Sequence, residues 1–487
     1  MIDRSDPCAP HASAIDIAAA VGAGGTSARA VAEAALARID AADRGHEGAI
    51  NAFTDITAER ALAEAAETDD AVAAGRAPGP LAGVPYAVKN LLDIAGLPTR
   101  AGSRINRERR PASADALLLQ RLRAAGAVLL GGLNMGEYAY DFTGENAHDG
   151  ACRNPHDTTR MTGGSSSGSG AAVAAGFVPL SLGSDTNGSL RVPASLCGVF
   201  SLKPTYGRLP RSGSFPFVDS LDHLGPFARS TADLARVYDA LQGPDPADHA
   251  AAPRAAEPTQ HALGAGVAGL RIGVVGGWFE HEACETARAA AARVAEVLAQ
   301  EAETHAVTLD GAEAARAAAY LVTNAESASF HLDRLRTRPD DFDPDTRDRF
   351  LAGAMLPASW LVRAQRVRRW WLERLMAVFA KVDLLLAPAT PVPAPAIGQK
   401  TLSIGGREVP LRPSLGLLAQ PFSAVGLPVL TVPVFDPGSL PIGVQLIAAP
   451  WREDRCLAAG AFLEARGAVA AHPPPNLAAP PLGAQGR

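Results

Sequence analysis

Cysteine is scarce in this chain: five thiols in 487 residues, at Cys8, Cys152, Cys197, Cys284 and Cys456. They are odd in number, far apart and outside any Cys-x-x-Cys or Cys/His ligand spacing, which argues against a disulfide framework and against zinc. Aromatic residues make up only 5% and charged residues 20%, but 47% are hydrophobic, the balance of a chain that folds around a core. Positive charge is not in excess either, with 45 Lys+Arg against 51 Asp+Glu and a formal net charge of -6. No basic footprint exists to neutralise phosphates, so nucleic acid is not an expected partner. The arginines of the segment Arg363 to Arg374, interleaved with Trp370 and Trp371, read as the solvated face of a helix beside a packed stripe. No run approaches the roughly 18 apolar residues of a membrane span, and the opening MIDRSDPCAPH has no apolar signal core. The expectation is a cytoplasmic protein with no membrane partner, no metal and no cofactor.

What is present is an alternation of helix and strand patterns. Thr26 is placed to cap a helix over Ala28 to Asp40, and Ala58 to Ala74 reads as a second Ala/Glu helix. Leu81 to Lys89 reads as a buried strand that ends in a lysine. An amphipathic helix over Ala114 to Ala125 and an apolar strand over Ala127 to Leu130 continue the alternation, which favours an α/β layer fold. Thr231 to Leu241 is helical, and 243–266, rich in Pro, Ala and Gly, reads as a linker or long surface loop. The pattern then resumes with a strand over Leu270 to Val275, a helix over Glu282 to Glu301 and a strand over Val382 to Ala387. From these signals we expect one domain over 1–470 and a Pro-rich mobile tail over 471–487.

The unusual part is the tract Gly163 to Gly170 (GGSSSGSG) and the stretch Gly183 to Ala194 (GSDTNGSLRVPA). The first leads into the helix-prone run Ala171 to Gly176, which would aim its backbone N–H groups at a common point. In the second, Asp185 and Arg191 flank a loop of small residues and could clamp it. Gly164 to Gly168 also satisfies G-x-S-x-G, the nucleophile elbow of α/β-hydrolases, with Ser166 as nucleophile and His223 as partner. That elbow follows an apolar strand, and here the preceding residues Asn154 to Thr162 are polar. A flexible linker and a non-catalytic anion-binding scaffold are the remaining readings of such a tract.

Taken with GVPYAVKNLLDIAG (Gly83 to Gly96), the pattern GGSS-x-GS followed by GSDT-x-GS-x-R-x-PA resembles the amidase signature family. Further blocks lie at Pro204 to Gly207, Leu384 to Pro388 and Gly426 to Ile447. The resemblance implies a layered α/β/α fold around a large central mixed sheet and an amidase with a Ser-cisSer-Lys triad. Ser189 would be the nucleophile, Ser165, preceded by a cis peptide, the proton shuttle, and Lys89 the base. It also implies an oxyanion hole from the backbone amides of Thr186, Asn187, Gly188 and Ser189. A lysine base must be uncharged, which burial beside Val84, Val88 and Leu91 would favour by desolvating the ammonium. The competing arrangement is an ion pair from Lys89 to Asp93 or Asp185.

Within that family GENAHDGACRNPHD (Gly144 to Asp157), SDTNGSLRVPASLCG (Ser184 to Gly198) and FDPDTRDRFLAGAMLP (Phe342 to Pro357) resemble hydrolases of 1-carboxybiuret, a small ureido carboxylate. The amidase-type subunits of tRNA-dependent amidotransferases are similar too. By that likeness Arg349 is the candidate for meeting a substrate carboxylate, for which a bidentate guanidinium is suited. A broad amidase acting on carbamates or aryl amides would share the same catalytic residues. The likeness points as well to a small helical subunit as partner and leaves a homo-oligomer open.

Overall fold

A computed structural model describes residues 6–46, 48–436 and 438–474. The proposed tail therefore lies, from residue 475 onward, outside the described residues. Eleven strands form one mixed sheet: β1 Phe53–Ile56, β2 Pro85–Lys89, β3 Val128–Leu133, β4 Leu180–Asp185, β5 Phe200–Lys203, β6 His223–Ala228, β7 Arg271–Val275, β8 Glu303–Val307, β9 Leu384–Pro388, β10 Val429–Val434 and β11 Ile442–Ala448. Across the sheet they run β1-β3-β2-β4-β6-β5-β10-β11-β9-β7-β8. Strand β2 is parallel to both β3 and β4, while β4, β6, β5, β10, β11 and β9 pair antiparallel in turn. Every residue of β2 to β6 and of β9 to β11 is buried. Burial on both sides of the pleat requires cover over both faces, so this is the layered α/β fold with a large mixed sheet that the sequence led us to expect.

Strands from before and after residues 243–266 share this one sheet. The segment itself is tied down: the Arg211 N–H donates to the Asp248 carboxylate at 2.8 Å, and the Arg254 guanidinium lies 4.6 Å over the Trp451 ring. Local boundaries moved by a few residues where a side chain was claimed elsewhere. The first long helix is capped by Ser27, whose hydroxyl accepts from Ala30 N, and not by Thr26. The helix expected from Ala114 begins at Leu117, because the Asp115 carboxylate is held by Arg60 and by the Ala95 N–H.

Five helices frame the site: α1 Ser167–Ala174, α2 Arg191–Cys197, α3 Ala312–Thr337, α4 Pro344–Ala354 and α5 Ala358–Phe379. Helix α5 contains the arginine-rich segment. Arg363, Arg366, Arg369 and Arg374 project away from the core, and Trp371 is buried with its indole N–H on Pro421 O at 2.8 Å. Arg368 departs from that pattern by turning inward to Ala424 O at 2.7 Å. Among the described residues no helix is long and apolar enough to cross a membrane.

Helix α2 is seated on β11 by close contact. The Gly443 N–H donates to Ser195 Oγ at 2.7 Å, and a Cβ on Gly443 would stand 2.8 Å from Ser195 Cβ and 2.9 Å from its Cα. Gly443→Ala should therefore push α2 off the sheet and cost about 1–3 kcal/mol, read as a lower urea midpoint with an unchanged slope.

Candidate active site

Parallel strands β2 and β4 lie side by side with Val88 opposite Leu182, so their C-terminal ends put Lys89 next to Ser184 and Asp185. In open α/β sheets a crevice outside such strand ends is where ligands bind. Lys89 is fully buried, and its Nζ donates to Ser165 Oγ at 2.7 Å and to Ser184 Oγ at 2.8 Å. Burial lowers its pKa to about 7, against the opposing pull of the Asp222, Asp185 and Asp141 carboxylates. Neither of the competing ion pairs of Lys89 forms. Asp93 accepts from the Thr99 hydroxyl, and Asp185 is taken by Arg191.

The Gly/Ser tract is a packed element. Helix α1 starts at Ser167, inside the tract and earlier than the expected Ala171. Gly168 packs so closely that a Cβ would come within 2.4 Å of Ala52 O, which only glycine permits. Ser166 Oγ donates to Ser184 O at 3.0 Å, Ser167 Oγ to Asn134 O at 3.1 Å and Ser169 Oγ to Leu182 O at 2.9 Å, all buried. The Ser166 hydroxyl thus ties the tract to β4, whereas a nucleophile elbow presents its serine to the open site. His223 takes no part in such an elbow either. Its Nδ1–H donates to Leu221 O at 2.6 Å, and burial pushes its pKa well below the usual value, so the ring is neutral. Several of the tract's amides are already engaged: Gly163, Gly164 and Gly168 N–H donate to Thr143, Phe142 and Asn134 carbonyls. The Gly164–Ser165 peptide is cis, as the resemblance implies.

The second motif forms a clamped loop between β4 and α2. Arg191 Nε and Nη2 each lie 3.0 Å from one carboxylate oxygen of Asp185, both residues being fully buried. Burial by itself would raise the Asp185 pKa, but the Arg191 guanidinium outweighs it and holds the carboxyl well below the usual range. Arg191 Nη1 also donates to Ala419 O at 2.8 Å and Gln445 Oε1 at 2.9 Å. This is the clamp expected of Asp185 and Arg191. One correction follows from it: the Gly188 N–H donates to Asp185 Oδ1 at 2.8 Å, so it is not available as an oxyanion donor. Thr186 is fixed through its hydroxyl to Asp222 Oδ1 at 2.6 Å.

Ser189 opens onto a cavity of about 250 Å³, lined also by Thr186, Asn187, Tyr140, Phe142 and Arg349. No hydrogen bond joins Ser165 to Ser189 among the described residues. Arg349, on α4, has its guanidinium 4.1 Å over the Tyr140 ring and its Nε on Asp345 O at 2.8 Å. Its Nη2 is buried and has no partner among the described residues. Arg412 reaches the same cavity, but its guanidinium is shared by Asp141, Glu145 and Asp345. Ser184, Tyr140, Arg412 and Thr323, whose Oγ1 accepts from Asn187 Nδ2 at 2.7 Å, were not expected from the sequence. Ser184 lay inside the motif with no sign that it touches Lys89; the others come from separate elements and carry no local signal. Among the described residues no group of His, Cys, Asp or Glu is placed to hold a metal ion.

A family profile described as Amidase matches residues 30–457 of the chain. AtzE of Pseudomonas sp. (strain ADP), described as a 1-carboxybiuret hydrolase component, is 55% identical over 456 residues, 93% of this chain and 98% of that protein. The A component of the glutamyl-tRNA(Gln) amidotransferase of Chloroflexus aggregans (strain MD-66 / DSM 9485) is 39% identical over 468 residues, 91% of this chain and 93% of that protein. A solved structure described as a vestigial protein complex that reveals the origins of an s-triazine catabolic enzyme superposes with a TM-score of 0.91. It is 55% identical, over 94% of this chain and 99% of that one.

Removing one partner of the Asp185–Arg191 pair leaves a charge stranded in the core. Asp185→Ala should cost about 3–5 kcal/mol in urea unfolding, and replacing both residues with apolar side chains should recover much of that loss. A double-variant loss equal to the sum of the two single losses would show that the residues act independently and not as a pair.

Proposed function

This chain belongs to the amidase family and is an amide-cleaving hydrolase, and we propose that it cleaves a small ureido carboxylate such as 1-carboxybiuret through an acyl-enzyme on Ser189. The observation that carries this reading is a buried lysine, its pKa lowered to about 7 and its Nζ bonded to Ser165, beside a cavity shared by Ser189 and Arg349. Ser189 Oγ attacks the carbonyl carbon while its proton passes to Ser165, whose own proton passes to neutral Lys89. Thr186, Asn187 and Ser189 backbone N–H groups receive the developing oxyanion. The C–N bond breaks as the relay returns the proton to the leaving nitrogen, and a Ser189 ester remains. Water attacks that ester with the relay running as before, releasing the acid and restoring Ser189. Ser184 is the second hydroxyl that orients Lys89.

Arg349 supports the carboxylate part of the proposal, because a guanidinium with an unpartnered buried nitrogen is made whole by an anionic oxygen. The small cavity favours a small molecule. The same reading takes the chain through residue 470 as one catalytic domain acting in the cytoplasm. Relatives that are themselves named as components of larger enzymes support assembly with a second protein.

The test is release of ammonia or amine from biuret-type, aryl-amide and carbamate substrates. Ser189→Ala should lower kcat by roughly 10⁴- to 10⁶-fold, while Ser166→Ala, if folded, should retain turnover. Arg349→Ala should raise KM for the carboxylated substrate about 10- to 100-fold. Activity that survives Ser189→Ala but is lost in Ser166→Ala sinks the mechanism.

The pH profile supplies a separate check. Since only unprotonated Lys89 accepts a proton, kcat/KM should fall as pH drops through about 7, where Lys89 gains its charge. An acid limb near ~10, the range of an ordinary lysine, would contradict a desolvated base.

A further inference from the structure

Asn187 contributes a backbone N–H to the proposed mechanism, yet its side chain has no role there. The residue is 6% exposed, lies two positions before Ser189 and lines the same cavity. Its Nδ2 donates to Thr323 Oγ1 on α3 at 2.7 Å, which pins the carboxamide plane. With Nδ2 so engaged, Oδ1 is the opposite terminus of that amide. It is buried and has no hydrogen-bond partner among the described residues. A desolvated carbonyl oxygen left in this state is unfavourable until a ligand brings it a donor.

We propose that Asn187 is a specificity-determining residue whose Oδ1 accepts an N–H borne by the atom next to the attacked carbonyl. The inference rests on the reading that Ser189 is the nucleophile. A carbonyl attacked by Ser189, with its oxygen on the Thr186 to Ser189 loop, has two substituents. One is the leaving nitrogen, which must face the proton relay; the other lies in the cavity that Asn187 and Arg349 line. A methylene there would bury Oδ1 against carbon and leave it unsatisfied, whereas an N–H completes it. The cavity therefore offers an acceptor beside the reacting carbonyl and a guanidinium donor, a match for N–CO–N–H linked to a carboxylate. It rejects amides whose carbonyl bears carbon.

Hydantoic acid and succinamic acid make a matched pair for this question, since both carry a primary amide and a carboxylate and differ by NH in place of CH2. Their dissociation constants are measured by calorimetry on folded Ser189→Ala protein, so the readout does not depend on turnover. Hydantoic acid should bind roughly tenfold or more tightly than succinamic acid. That preference should collapse in Ser189→Ala/Asn187→Gly and weaken in Ser189→Ala/Thr323→Val, while the affinity for succinamic acid stays within a few-fold. A purely structural role would weaken both ligands alike, and that result overturns the proposal. So does an unchanged preference in the Asn187 variant, or failure of both ligands to bind at about millimolar concentration. Failure of the underlying mechanism reads out differently, as turnover persisting in Ser189→Ala.

Discussion

Asp185 and Arg191, both withdrawn from water, form the two-point ion pair on which the geometry of the site rests. Such a pair repays its desolvation only when every remaining donor and acceptor is used. Here Asp185 also receives the N–H groups of Gly188 and Leu190, and Arg191 spends its other protons on Ala419, Gln445 and Ser423. The pair thus joins the end of β4 and the start of α2 to β11 and to the segment before β10. The loop that carries Thr186 to Ser189 has its shape imposed from both ends.

Burial disfavours the charged form of each ionisable group around this loop, and the partners decide whether the charge survives. Asp185 stays anionic because a guanidinium meets it. Lys89 meets only hydroxyls, so its ammonium is disfavoured and its pKa falls to about 7. Asp222, which fixes Thr186, is pushed up by the same loss of solvent. The two arginines of the cavity differ for the same reason: Arg412 is surrounded by three carboxylates, while Arg349 rests on a neutral aromatic ring and keeps a buried nitrogen open.

Much of this was readable in the sequence because the chemistry sits in motifs close to strand ends. Lys89 ends a run of apolar residues, and Asp185 and Arg191 bracket the small-residue loop at a spacing that suits a clamp. The misreadings were local. Ser27 caps where Thr26 was expected, a shift of one residue that composition does not resolve. The resemblance implies Gly188 among the oxyanion donors, but the carboxylate that shapes the loop takes that amide. Ser166 satisfies a nucleophile pattern that the polar residues before it already argue against, and its hydroxyl faces β4; no pattern of residue types by itself reveals which way a serine points.

Residue pattern alone carried the helix and strand alternation, the lysine at the end of an apolar run, the candidate clamp of Asp185 and Arg191 and the family likeness that orders Lys89, Ser165 and Ser189. Those features depend on residues near one another in the chain or on motifs of fixed spacing. Folding in three dimensions was needed to settle that Thr323 orients Asn187, that Tyr140 carries Arg349 and that Ser184 shares Lys89 with Ser165. These contacts join elements far apart in the chain, and which side chain loses its solvent or finds a partner is settled when the sheet brings those elements together.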